Sequence, residues 1–109
     1  MAYTVAGASV ETDDEGYVLE ADYSDEICKT IAALEGIELT ADHWTVIGYL
    51  RDQYREHGHT PNFRALLKDL ADLIPGCDSK RAYDLFPLGP AKQGVRIAGL
   101  PRPFGKGGY

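Results

Sequence analysis

Cysteine is scarce in this 109-residue chain: Cys28 and Cys77 stand far apart, with no Cys-x-x-Cys pair. That scarcity excludes a disulfide framework and a zinc knuckle, and two free thiols in a reducing compartment are expected. Long apolar runs are missing too. Nothing approaches the ~20 residues of a membrane-spanning helix, and the start, Met1-Ala2-Tyr3-Thr4, has neither the basic nor the apolar region of a signal peptide. A cytoplasmic protein is expected. The chain has no phosphate-cradling glycine loop, no Gly-x-Gly-x-x-Gly opening a helix and no Ser, His and Asp set suited to nucleophilic catalysis. No cofactor is expected.

Basic residues are scarce only in the first part of the chain. Residues 1–60 carry 13 acids and 3 bases, whereas residues 61–109 carry 4 acids and 8 bases. From Ala91 onward the only charges are Lys92, Arg96, Arg102 and Lys106. A C-terminal segment of one sign suits an anionic partner or an acidic cleft, because such fields act over about a Debye length. With 44% hydrophobic and 26% charged residues the chain is ordinary for one globular domain.

Three β-prone pieces, at residues 3–5, 8–10 and 17–19, are separated by Gly7 and the acidic turn Asp13-Asp14-Glu15-Gly16, so a small hairpin is expected. Ser24 is placed to cap a helix over 25–35 that Gly36 closes, with Ile27, Cys28, Ile31 and Leu34 as its apolar stripe. Thr40 opens a helix from 41 to about 57, with Trp44, Ile47, Leu50 and Tyr54 inward and Gly58 at the stop. Thr60-Pro61 reads as cap and first residue of a third helix, carrying Phe63, Leu66, Leu67, Leu70 and Ile74. Ser79 is expected to cap a fourth helix running to Phe86, and Pro90 to begin a fifth that Gly99 ends near Ala98. Residues 100–109 hold two prolines and three glycines, a composition for a mobile or partner-ordered arm. The expected architecture is a mostly α, compact helical bundle over residues 1–98 with an N-terminal hairpin, a helix-turn-helix-like pair and an extended arm over 99–109.

His57-x-His59 has the spacing to chelate an ion, but no acid or thiol completes the set, so no metal site is expected, and His43 is read as structural. In the helix-turn-helix reading Arg64 and Lys68 are the candidate nucleic-acid contacts. Asp69 and Asp72 share their helix, however, and a DNA reader needs a broad basic face.

Three stretches, GIELTADHWTVIGYLRDQY, TPNFRALLKDL and LFPLGPAKQGVRIAGLPRP, closely resemble the DsrC/TusE family, small proteins associated with dissimilatory sulfite reductase and with tRNA thiolation. They match that family's LTEEHW helix opening, its P-x-x-R-x-L-x-K helix and its C-terminal LFP-x-GPAKQ-x-C-x-x-AGLPKPTGC arm. The similarity covers residues 14–103. It implies a swinging arm whose near-terminal cysteine carries persulfide, in some members beside a second cysteine about ten residues upstream. In this chain the upstream position is Val95 and the near-terminal one Lys106. Sulfur transfer proceeds by thiolate attack, which neither side chain can make.

Cys28, on an apolar stripe, is expected to behave as a small buried hydrophobe. Cys77, in the turn Pro75-Gly76-Cys77-Asp78-Ser79, is expected to be exposed, with an acid beside it that raises its pKa. The resemblance then implies a non-catalytic, regulatory protein that binds sulfite reductase or sulfur-relay partners through Lys92, Arg96, Leu100, Arg102, Phe104 and Lys106. The alternatives are a sulfur carrier in tRNA thiolation acting through Cys77 or Cys28, and a DNA-binding regulator.

Overall fold

The computed structural model describes residues 2–103. Strands β1 (Ala2–Val5) and β2 (Ala8–Glu11) pair antiparallel, with Tyr3 opposite Val10. Ala6 and Gly7 both take positive φ, +50° and +83°, the twist a two-residue hairpin turn requires. The expected third β-piece is reduced to one bridge, between Thr12 and Val18. The reason lies in the acidic turn, which Asp13 organises by accepting from the Glu15 N–H at 2.9 Å and the Tyr17 N–H at 3.0 Å. The Tyr3 hydroxyl donates to the Gly16 carbonyl at 2.8 Å and holds this turn against β1.

Four helices follow: α1 (Asp25–Leu34), α2 (Ala41–His57), α3 (Phe63–Leu73) and α4 (Ser79–Leu85). Ser24 caps α1 through the Ile27 N–H, as its hydroxyl and position predict. Ile27, Cys28 and Ile31 are fully buried, but Leu34 is 70% exposed. It occupies the last turn of α1, past the edge of the core, and Ala32 is buried in its stead. In α2 the Thr40 N–H donates to His43 Nδ1 at 3.1 Å, which leaves the ring proton on Nε2, 2.8 Å from the Leu85 carbonyl. His43 therefore ties the start of α2 to the end of α4.

Two caps lie elsewhere than expected. Asn62, not Thr60, caps α3, its side-chain oxygen accepting from the Ala65 N–H at 2.9 Å; Asp78, not Ser79, caps α4 through the Arg81 N–H at 2.9 Å. In each case an amide or carboxylate oxygen takes the N-cap from a nearby hydroxyl. The Thr60 hydroxyl is instead buried without a hydrogen-bond partner. Residues 58–62 separate α2 from α3, a longer break than a tight helix-turn-helix.

The expected fifth helix is a wide turn over Pro90–Gly94 followed by one helical turn, α5 (Val95–Ile97). This segment is the hub of the fold, since α1 and α2 rest on α5 and α2, α3 and α4 all rest on the wide turn. Val95, Ile97, Ala98 and Leu100 are fully buried alongside Phe86. Gly94 suits the hub because a Cβ there would lie 3.3 Å from Leu50 Cδ1. The expected arm was to begin at residue 99, yet Gly99 and Leu100 belong to the core. Leu100 is apolar and follows directly on a buried helix end, so burial outweighs the freedom its proline-rich neighbours would allow.

Candidate functional site

The two positions expected to match the arm cysteines have different settings. Val95 is fully buried on α5 and packed in the hub, while Lys106 lies outside the described residues, as does Phe104. The chain's own cysteines are both buried. Burial pushes the Cys28 thiol up to about 11, against a partly offsetting pull from Arg51, whose Nη2 sits 3.0 Å from the sulfur. Burial also raises the Cys77 thiol, and the Asp78 carboxylate adds to the shift. Cys77 was expected at the surface; it is only 7% exposed, folded under the turn that precedes α4. Both thiols are held in the protonated, weakly nucleophilic form near neutral pH.

The basic residues of the C-terminal segment are deployed unevenly. Lys92 is exposed, while its carbonyl accepts from the Tyr17 hydroxyl at 3.4 Å. Arg96 is half-buried and clamps Glu35 with two bonds of 2.7 Å, and Gln93 Nε2 donates to the same carboxylate at 2.7 Å. Arg102 reaches back to Asp13 at 3.1 Å and Glu15 at 3.0 Å, tying the segment to the acidic turn. Leu100, expected as an apolar anchor for a partner, is instead an anchor for the core. A cleft of about 40 Å³ remains between Pro101–Pro103 and Tyr54, His59 and Thr60. Arg64 and Lys68 are exposed on α3; on that helix Asp69 accepts a hydrogen bond from the Tyr49 hydroxyl. Among the described residues no group of three His, Cys, Asp or Glu side chains could hold a metal ion, and no helix is long and apolar enough to cross a membrane.

Glu35 responds to acid in a defined sense. Burial works to raise its pKa, but the hydrogen bonds from Arg96 and Gln93 prevail and hold it below the ordinary value of 4.5. A depressed carboxyl stabilises the fold above the unfolded-state value, and the contribution is lost as pH falls through the folded-state value. Glu35→Gln is expected to flatten the melting temperature between about pH 5 and 3, where wild type declines. A parallel decline in both proteins would show that the clamp contributes nothing.

Arg51 is the site residue that sequence reasoning missed. It lies inside, at 8% exposure, on the same face of α2 as Ile47. Its Nε donates to the Ala98 carbonyl at 2.9 Å, Nη1 to Tyr23 at 3.0 Å, and Nη2 to Ser24 at 2.7 Å and Asp22 at 3.3 Å. One guanidinium thereby joins the end of α5 to the chain entering α1, a task its planar fork suits and a lysine's point charge does not. The available signal was its spacing, four residues after Ile47 and three before Tyr54 on an otherwise apolar stripe.

Comparison with known proteins extends the picture. Residues 4–105 match the family model described as DsrC like protein. A sulfurtransferase TusE homolog of Haemophilus influenzae is 44% identical over 103 residues, 91% of this chain and 94% of that protein. Among solved structures, the oxidized gamma-subunit of the dissimilatory sulfite reductase (DsrC) from Archaeoglobus fulgidus has a TM-score of 0.87 at 35% identity, covering 96% of this chain and 98% of its own. DsrC of Allochromatium vinosum, solved by NMR, has a TM-score of 0.85 at 39% identity with the same coverage.

Proposed function

Because this chain belongs to the DsrC-like family, we propose that it works in cytoplasmic sulfur metabolism as a docking, regulatory protein, which engages a sulfite reductase or a sulfur-relay complex without itself carrying sulfur. The observation that carries this reading is the chemistry of the arm positions. Lysine and valine stand at the positions that the resemblance assigns to the near-terminal carrier cysteine and its upstream companion, and valine is packed into the core. The exposed or surface-paired cations Lys92 and Arg102, with Phe104 and Lys106 beyond the described residues, supply the docking chemistry. Arg96 and Leu100 act indirectly, by seating the root of the segment.

The second reading, a sulfur carrier, is favoured by the names of the relatives, several of which are sulfurtransferases. Here it would run through Cys77, whose thiolate would attack the sulfane sulfur of a donor persulfide, take that sulfur as a new Cys77 persulfide and release the donor as thiolate. Opening of the turn around Gly76 would have to precede the attack.

Intact-mass measurement after incubation with a persulfide donor separates the two. The docking reading expects no adduct, whereas a gain of about 32 Da, one sulfur atom, abolished by Cys77→Ser and discharged to an acceptor thiol, would establish the carrier. Pull-down with purified sulfite reductase and sulfur-relay subunits tests the docking itself. Truncation after Leu100 spares the core and is expected to abolish capture; equal capture by the truncated and full chains would end the arm's role.

A further inference from the structure

A groove of about 600 Å³ beside the N-terminal hairpin takes no part in the sulfur-relay reading. Ser9, Val10 and Glu11 of β2 form one wall and residues 19–23 the other. The open edge inside it follows from strand geometry. The two-residue turn makes Val5 and Ala8 a hydrogen-bonded pair, and antiparallel alternation then bonds Tyr3 to Val10 and points the backbone groups of Ser9 and Glu11 away from β1. Glu11 uses that orientation, its carbonyl accepting from the Leu19 N–H at 3.2 Å. Beyond Leu19 the chain leaves for α1, where the Asp22 N–H donates to the Gly99 carbonyl at 2.8 Å. The N–H and C=O of Ser9 consequently face the groove as an unpaired strand edge.

Side chains around this edge have a consistent character. Leu19 is 60% exposed, a large apolar group beside an open edge, which is a template for strand addition. Glu11, Glu20 and Asp22 supply three carboxylates, and among the described residues no lysine, arginine or histidine lines the groove. Residues 1–60, which contain both walls, carry 13 acids against 3 bases.

We infer that this groove binds an extended, lysine- or arginine-bearing segment of a partner protein, which adds a strand to β2 at Ser9. Main-chain bonds to Ser9 would supply affinity, and alternate side chains would meet the carboxylates on one side and Leu19 and Val10 on the other. Charge selects this occupant. An acidic protein or a nucleic acid would be repelled, and a second copy paired edge to edge would bring this acidic patch close to its own counterpart.

The test uses the full, ¹⁵N-labelled chain and an acetylated, amidated Lys-Val-Lys-Val-Lys peptide, with Glu-Val-Glu-Val-Glu as the control. Saturable amide shifts are expected at Ser9, Val10, Glu11 and residues 19–23 with the basic peptide only, together with slowed solvent exchange of the Ser9 N–H. Ser9→Pro removes the outward donor but no bond to β1, a substitution edge strands tolerate, and is expected to weaken binding at least about tenfold. If the Tyr3 and Val10 signals show that this variant loses the hairpin, Glu11→Lys with Glu20→Lys replaces it and the same loss is expected. No shifts, shifts spread over every acidic surface without Ser9 protection, or unchanged affinity in the charge-reversed chain would each overturn the proposal. Concentration-dependent shifts at these amides without peptide would give the edge to a second copy and overturn it as well.

Discussion

Arg51→Ala is expected to melt about 12–24 °C below wild type, a loss of roughly 3 kcal/mol at some 4–8 °C per kcal/mol for a domain of this size. The cause is what truncation leaves behind. Four carbonyls, of Ala98, Tyr23, Ser24 and Asp22, converge on one guanidinium. Without it, the buried Ala98 carbonyl and three part-buried carbonyls lose their donor, and an orphaned buried acceptor costs about 1–3 kcal/mol unless water reaches it. The loss is also expected to be local in character. Hydrogen exchange should accelerate first at the Asp22 N–H, whose 2.8 Å bond to the Gly99 carbonyl is the next tie between the same two segments. Arg51→Lys should recover only a minority of the stability, since one ammonium cannot span the separated carbonyls. A melting temperature within about 3 °C of wild type for the alanine variant would mean that the network is cosmetic.

Gly99→Ala is the second large effect. Gly99 has φ +75°, and a Cβ there would lie 2.3 Å from the Asp22 carbonyl oxygen and 2.7 Å from Ile27 Cγ2. Gly58 has the same φ with nothing within 4 Å, so it isolates the conformational part of the cost. Gly58→Ala is expected to lose about 1 kcal/mol, the usual penalty for a side chain in the left-handed region. Gly99→Ala should lose at least about 3 kcal/mol, because the extra clash is with backbone that cannot rotate away. The last buried residues should loosen with it. Limited proteolysis is then expected to cut between residues 99 and 103 in the variant and to spare wild type. Equal melting of the two glycine variants would show that the chain at Asp22 yields at little cost.

Much of the fold was legible from local signals. The bounds of α2 agree with those read from Thr40, Gly58 and the apolar spacing between them, because each signal acts within a turn or two of the residue that carries it. The caps of α3 and α4 went astray by one or two residues where two polar side chains competed for the same role. Leu34 obeyed helical periodicity and is nevertheless exposed, since periodicity names a face of a helix and not how far the core extends along it. The candidate site was legible in part. Val95 and Lys106 come from the motif resemblance, and no coordinates were needed to see that neither side chain carries a thiol. The burial of Cys77 was not readable, because its cover comes from packing around a turn whose composition suggests exposure.

By itself the sequence determined helices α1 to α4, the hairpin, the sign of charge in each part of the chain and the absence of a thiol at positions 95 and 106. These depend on residue identity and on neighbours a few positions away. Only the tertiary structure decided that Arg51 is an internal tie, that the C-terminal segment through Leu100 is the hub of the core, and that β2 keeps an open edge at Ser9. Those outcomes rest on contacts between residues 51 and 98, 22 and 99, or 11 and 19, and the free energy of burying a group is set by whatever the fold brings against it.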